Sequence, residues 1–412
     1  MKDKITIVVG IVLAMILSRG ASPLLAAELV VSPGGLAEPR CPFPLPHYSL
    51  IQLAVNAANT GDKIMVCPGI YAEQVTISKS LQIQGPPLDP GANLTDSDDA
   101  IIMPSSMTPN TIRLSDPSLP VAAIVLIQNT EHVTLTNLTV DGANNNINGC
   151  APELIGIYYQ SASGQVEDAA VRNLKLAPAL AGCQSGTAVV IESGNGKSSS
   201  VKMIGSSIHD YQKNGTAAFG VGTEASFQNN VVTGNGPLSN PSFAIAAQNG
   251  LQVSDGATGE ISGNTVTDNI YASCISVSEC TVASTDILIF NSDGIKVQNN
   301  TVGDTNIAIY VQGNHGEVKG NHVFNSKAFD GIDLIGAGNE ADSNLITHSD
   351  EAGIFIQGND NDVTQNTINE VPVGVLKIAP SAGNIINENQ FLNTHVPVVD
   401  PSAPPARIVS PF

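Results

Sequence analysis

Tryptophan is absent from the 412 residues, aromatic residues make up only 4%, and charged residues only 13%. Helical and dinucleotide-binding proteins present exposed helix faces rich in Glu, Lys and Arg, so this shortage argues against both. Basic residues are scarcest, with 17 Lys and Arg against 37 Asp and Glu and a net charge of −20. A surface of that sign repels nucleic acid and anionic membranes, and makes a cation such as calcium the more natural small partner. The six cysteines show no C-x-x-C spacing, so a redox or zinc motif is not supported. Beyond the N-terminus no apolar run is long enough to cross a bilayer. Two further classes fall away: 42% apolar residues are too many for a disordered chain, and the 38 glycines lack the three-residue period of collagen.

What the chain does carry begins with Lys2 and Lys4, then an apolar run over residues 5–17 and small residues ending at Ala27. This pattern reads as a secretory signal peptide, residues 1–27; an uncleaved anchor is the alternative. Its removal takes away three basic residues and one acidic, leaving the mature chain at −22. Six cysteines in an exported protein suggest disulfides, although six allow 15 pairings. The neighbourly pairs are Cys41 with Cys67, Cys150 with Cys183, and Cys274 with Cys280.

The second half holds a repeat. Asn264, Asn300, Asn321, Asn344, Asn366 and Asn389 fall into one column spaced by about 22 residues, with one longer step. Working backward, Asn230, Ser207, Asn173 and Asn137 continue it with more lengthened units. Three residues before each of the later asparagines stands Ile261, Val297, Val318, Ala341, Val363 or Ile386, and two after it Val266, Val302, Val323, Ile346, Ile368 or Phe391. Apolar and polar residues alternate over short stretches, which is the period of a strand. Each unit therefore holds two or three strands and cannot bury its apolar side alone, so stacked coils are expected. Copies of the asparagine, about 4.8 Å apart at one bend, would bond to each other and are structural.

The stretch from Ser49 to Gly85, SLIQLAVNAANTGDKIMVCPGIYAEQVTISKSLQIQG, resembles the opening segment of right-handed parallel β-helix proteins of the pectin lyase-like superfamily. That resemblance implies an all-β solenoid whose first coil is capped by a short helix, here over about residues 50–58 with Ser49 as its cap. The expected organisation is a signal peptide (1–27), an N-terminal extension (28–48), the β-helix (49–396) and a proline-rich tail (397–412). Residues 86–120, with seven prolines, read as an irregular early coil or side loop.

Carbohydrate-active members of that superfamily carry recognisable motifs, and none is complete here. Gly69-Ile70-Tyr71-Ala72-Glu73 matches half of the pectin methylesterase-like pattern, and the paired aspartates that should follow are missing. Asn291-Ser292-Asp293 and Asn314-His315-Gly316 match parts of the polygalacturonase pattern, but the aspartate pair between them and the basic motif after them are absent. His315 shares its column with Gly294, Gly338, Asp360 and Gly383, which is a turn column. The epimerase motif D-P-H-D does not occur.

Three groupings remain as candidates. Asp330 and Asp333 form an acid pair, with Lys296 or Lys319 as the base or the anchor for a sugar carboxylate. Gln252, Tyr310, Asp333 and Phe355 form an outward column, in which aromatics flanking a carboxylate either bind a sugar or pack beneath a loop. Glu317, Glu340 and Asp362 stand on consecutive coils in a column that also includes Glu260 and Lys296. Such a row either binds Ca²⁺ or is a solvated stripe with the lysines as counter-charges. The functional expectation is an exported protein that binds or processes a polysaccharide, as a lyase, hydrolase or epimerase. The alternative is a non-catalytic structural, adhesin-like or periplasmic accessory protein, similar to the copper-site maturation protein of nitrous oxide reductase.

Overall fold

The computed structural model describes residues 26–33, 41, 47–86, 99–236, 246–271, 274, 280 and 282–400. The proposed signal peptide, apart from its last two residues, and all of the tail after Asp400 lie outside the described residues. Alternating strands wind through three long parallel sheets. Each coil passes from the first sheet to the second and then the third: Glu317–Lys319, His322–Ser326 and Ile332–Ile335 precede Glu340–Asp342, which starts the next coil. The expected right-handed parallel β-helix is what the chain adopts. Thr111–Ile112, antiparallel to the start of Pro120–Gln128, is the one strand off this path among the described residues.

Inward side chains from all three sheets stack into one continuous core. Val297, Val318 and Val363 from the first sheet, Val302, Val323 and Ile368 from the second, and Ile309, Ile332 and Ile354 from the third are all buried. The periodic apolar columns of the sequence are these rows, each residue sitting over its counterpart one coil away. The coils also extend beyond their expected limits. Glu28–Val31, in the segment read as an extension, pairs residue by residue with Lys63–Val66, and Val396–Val399 is the last strand of the third sheet.

The helix Ile51–Ala57 lays Ile51, Ala54 and Val55 over the apolar end of the first coil. Leu50 precedes it, and no side chain of the N-cap residue bonds to it. Instead Glu73 caps it from the next turn of chain: its two carboxylate oxygens accept from the Ile51 and Gln52 N–H groups at 2.6 and 2.9 Å. Negative charge at the positive end of the helix satisfies two orphan donors. The half-matched G-x-Y-x-E segment therefore has a structural role, since Tyr71 is buried and bonds Cys67 O while Glu73 holds the cap.

The asparagine ladder forms at the bend between the first and second sheets. The side-chain amide of Asn300 donates to Asn321 Oδ1 at 3.0 Å and to Ile261 O at 2.9 Å, while its backbone N–H donates to the same Asn321 oxygen at 2.9 Å. The pattern repeats from Asn230 through Asn264, Asn300, Asn321, Asn344 and Asn366 to Asn389. The tight backbone belongs to the residue before each asparagine: Asn229, Gly263, Asn299 and Gly320 all have φ between 55° and 67°. In the early coils the expected column is displaced. Asn137 occupies this left-handed position, one residue short of the ladder, and Asn173 lies within the strand Ala170–Leu174. The ladder place is taken there by the buried Leu138 and Ala169 and by Ser206, whose N–H donates to Asn230 Oδ1. A second ladder, Asn339–Asn361–Asn384, runs along the bend between the third and first sheets. His315, Gly294, Gly338, Asp360 and Gly383 all have positive φ, as a turn column requires.

All three expected disulfides form, Cys41–Cys67, Cys150–Cys183 and Cys274–Cys280, and no cysteine is free among the described residues. Such bonds belong to an oxidising compartment. The described residues contain no helix long and apolar enough to cross a membrane.

Replacing Asn321 by Ala removes the acceptor for two donors of Asn300 that have no water to turn to. Its cost is expected at about 1–3 kcal/mol, read as a lower denaturation midpoint, with a smaller loss for Asn389→Ala in the outermost coil. A second test concerns the polar cluster inside the coils, where Tyr211 bonds Asn269 and Asn269 Nδ2 donates to Asp286 Oδ1 at 2.9 Å. Burial drives the Asp286 carboxyl well above its ordinary range. Its folded-state value lies above its unfolded one, so this stability is complete below the unfolded value and is lost as pH rises through the folded value. In Asp286→Asn that loss should disappear, which denaturation midpoints between acid and alkaline pH would reveal as a flatter profile than wild type.

Candidate functional site

The candidate residues of the sequence fall on two different sheets. Lys296 and Lys319 stand exposed on the first sheet, whereas Asp330 and Asp333 are fully buried at the third. The four do not converge on one point, and the lysines are engaged in ion pairs, Lys296 with Glu317 at 3.9 Å and Lys319 with Asp342 at 2.6 Å.

Gln252, Tyr310, Asp333 and Phe355 do share one column of the third sheet, with Leu288 between the first two. The column is not open. Tyr310 is 3% and Phe355 1% exposed, so neither offers a ring to solvent. Tyr310 packs in one cluster with Leu288, Phe329 and Cys274, the last disulfide-bonded to Cys280. Burial and the neighbouring Asp333 charge together push the Tyr310 hydroxyl upward.

Glu317, Glu340 and Asp362 are in register on consecutive first-sheet strands, as expected. They remain a half-buried row along a polar face, with Lys296 and Lys319 among them. Among the described residues no group of three or more His, Cys, Asp or Glu is placed to hold a metal. The geometry is that of a solvated stripe with counter-charges.

Two wide hollows, of about 460 and 450 Å³, lie on outer faces lined by Glu131, Gln165 and Lys202 and by His209, Asp210 and Asn235. A concave site with buried charged groups lies elsewhere, on the third sheet over earlier coils, where a cavity of about 260 Å³ is lined by Arg113, Glu153, Thr187, Lys213, Asn214, Phe219 and Gln252, together with Asp116 and Gln184. Arg113 enters it from the side loop 99–119, just after the short strand Thr111–Ile112. Its guanidinium stacks on Phe219, 4.8 Å from the ring centre, and stands 3.5 Å from Glu153 Oε1 and 3.9 Å from Glu192 Oε2. Glu192 anchors the loop, because it accepts from the Leu114 and Ser115 N–H groups at 3.1 and 2.6 Å and from the Tyr158 hydroxyl. The disulfide Cys150–Cys183 ties together the segments that lead to Glu153 and Gln184, two residues of the lining.

The two glutamates are driven apart. Burial raises Glu153, Glu192 adds to the rise, and the Arg113 charge opposes it without cancelling it. Glu192 is also desolvated, but Arg113 and the donors from Ser115, Tyr158 and Leu114 outweigh burial and hold it below the ordinary carboxylate range. Burial also brings Lys213 down to about 8, with its ammonium donating to Ala247 O at 2.9 Å. Glu153 Oε2 is buried and makes no hydrogen bond. A buried carboxyl shifted upward, a fixed guanidinium and the amides of Asn214 and Gln252 around one hollow are a set of directional donors and acceptors.

The catalytic and metal-binding candidates read from the sequence lie between Lys296 and Asp362, and this cluster lies upstream of them. A signal was available: Arg113 is the single Lys or Arg between Lys79 and Arg172, and Glu153 and Glu192 end otherwise uncharged strands.

Residues 228–403 match the family described as periplasmic copper-binding protein (NosD). No curated protein sequence matches the chain. Among solved structures, the GH136 lacto-N-biosidase from Eubacterium ramulus is similar at a TM-score of 0.58 and 11% identity, over 89% of this chain and 67% of that one. The Dettilon tailspike protein is similar at 0.51 and 14%, over 82% of this chain and 63% of the tailspike, so the chain spans less than two thirds of that protein. A mannuronic acid specific polysaccharide family 6 lyase from human gut microbiota is similar at 0.51 and 9%, over 88% of this chain and 82% of that one. At these identities the likeness concerns the fold.

Copper calls for sulfur or imidazole donors gathered at one point. The six cysteines are all in disulfides, and no such cluster occurs among the described residues, so the residues present do not fit a copper centre. With three stacked parallel sheets and neighbours built in the same way, the fold is that of the right-handed parallel β-helix proteins.

Proposed function

We propose that this is an exported β-helix protein that binds a polysaccharide and holds one neutral sugar unit in the Arg113–Glu153 cavity. The carrying observation is the buried Glu153, its carboxyl shifted upward by burial, on a hollow lined also by Arg113, Asn214 and Gln252. Sugar hydroxyls need donors and acceptors at fixed places, and this lining supplies both. Neutral rather than acidic sugar follows from the charge balance. Arg113 is paired with Glu153 at 3.5 Å and Glu192 at 3.9 Å, Lys213 donates to Ala247 O and is brought down by burial to about 8, and the chain as a whole is at −20, so little free positive charge is left for a uronate. Glu153, shifted upward by burial, and the exposed Asp116, lowered by its bonds from Ser118, are the two carboxyls of the lining that a glycoside hydrolysis there would use.

A second reading is a non-catalytic accessory protein of the periplasm. Its support is the match of residues 228–403 to a periplasmic family and the three disulfides. Under that reading the cavity is a recognition site without turnover.

The test is a panel of neutral and acidic polysaccharides, scored for retention of the protein and for new reducing ends. Retention on a neutral polymer is expected, and Arg113→Ala, checked for folding by circular dichroism, should weaken it by about tenfold or more. Retention should also weaken as pH rises through the raised Glu153 value, because the carboxyl then loses the proton it donates. Glu153→Gln keeps a donor and cannot ionise, so its retention should be flat with pH. If no polymer retains the protein and none gains reducing ends, the carbohydrate reading fails.

A further inference from the structure

We infer that the cavity receives the end of a glycan chain and not its interior; this rests on the glycan-binding reading above. In an open solenoid groove, a polymer lying along the axis would touch one outward column over many coils. Here that column is covered throughout. From Leu126 through Val190, Leu288 and Asp333 to Leu376, each of its residues in the third sheet is buried, none more than 7% exposed.

The hollow interrupts that covering between two walls. On the N-terminal side the side loop, pinned by Glu192 through two backbone N–H groups, carries Arg113 over Phe219. On the C-terminal side Gln252 is the last lining residue of its column. Its partner on the next coil is Leu288, which is fully buried in a cluster with Cys274, Ala283, Tyr310 and Phe329. A chain entering the hollow therefore has no continuation along the axis in either direction.

Volume gives the same answer. About 260 Å³ lies between the roughly 150 Å³ that encloses one benzene ring and the roughly 300 Å³ where pockets for drug-sized molecules begin. One sugar ring fits; a run of linked rings does not. The buried groups that would read it, Arg113 and Glu153, sit 8% and 6% exposed, deep enough that a mid-chain unit with a neighbour on each side could not reach both.

The experiment uses the full-length protein and neutral oligosaccharides cut from whichever polymer retains it. Long and short oligosaccharides are compared intact, with the reducing end reduced to the alditol, and with the terminal non-reducing unit capped as a 4,6-ketal. End recognition predicts that one of the two end modifications lowers affinity by about tenfold or more at every length, and that affinity per chain does not grow with length. If long oligosaccharides modified at both ends bind as tightly as intact ones, the inference is overturned while glycan binding stands. If no intact oligosaccharide binds, the binding reading falls and this inference falls with it.

Discussion

Stacking of one coil on the next through parallel backbone hydrogen bonds is the constraint on which the rest of the molecule depends. Successive strands sit about 4.8 Å apart, so a side chain's nearest neighbours are its counterparts on adjacent coils. Every position is thereby obliged to tolerate its own repetition. Apolar columns satisfy this by dispersion, as Val297, Val318 and Val363 do inside the first sheet. Asparagine satisfies it at a bend because one amide both donates and accepts, so Asn300 and Asn321 bond in the same sense as Asn321 and Asn344. Carboxylates do not satisfy it. Glu317, Glu340 and Asp362 repel one another in register, which is why that row stays at the solvent edge with Lys296 and Lys319 beside it.

The same constraint explains where a site can form. A strictly repeating coil offers a flat face, and a hollow appears only where a segment departs from the repeat. The side loop 99–119 is such a departure, and it delivers Arg113 to a sheet whose own strands contribute no arginine there. Once that guanidinium is placed, the carboxylates around it take unequal roles. Glu192 receives the loop's N–H groups and Tyr158, and becomes the anchor; Glu153 keeps one buried oxygen without a hydrogen bond. Burial acts on both, and the difference in donors decides the outcome.

How much of this was legible in the sequence depended on whether a feature repeated. The ladder from Asn264 to Asn389 was legible because identical residues recur at coil spacing, and the pairing of Gln252, Tyr310, Asp333 and Phe355 followed from the same phase. The earliest coils were misaligned, since at Leu138 and Ala169 packing fills the place that asparagine fills later, and Asn137 could be mistaken for the missing member. Exposure was legible least. Phe355 points away from the main core as an alternating pattern demands, yet Leu376 and Ile378 bury it from the side. The cavity was not legible at all, because Arg113, Glu153, Glu192 and Gln252 come from four separate coils or loops and none recurs.

That last point bears on how such a protein acquires chemistry without losing its fold. Residues in a column are constrained by two neighbours, so a new charge introduced there is felt by the coils on both sides. Arg113 lies outside every column, and its two carboxylate partners sit at the margins of strands, Glu153 as the first residue of its strand and Glu192 as the last of its own. Substitutions at those margins leave the inward rows and both asparagine ladders untouched. The solenoid can therefore hold its stability in the repeat and place a scarce, buried arginine and its carboxylate partners in the exceptions.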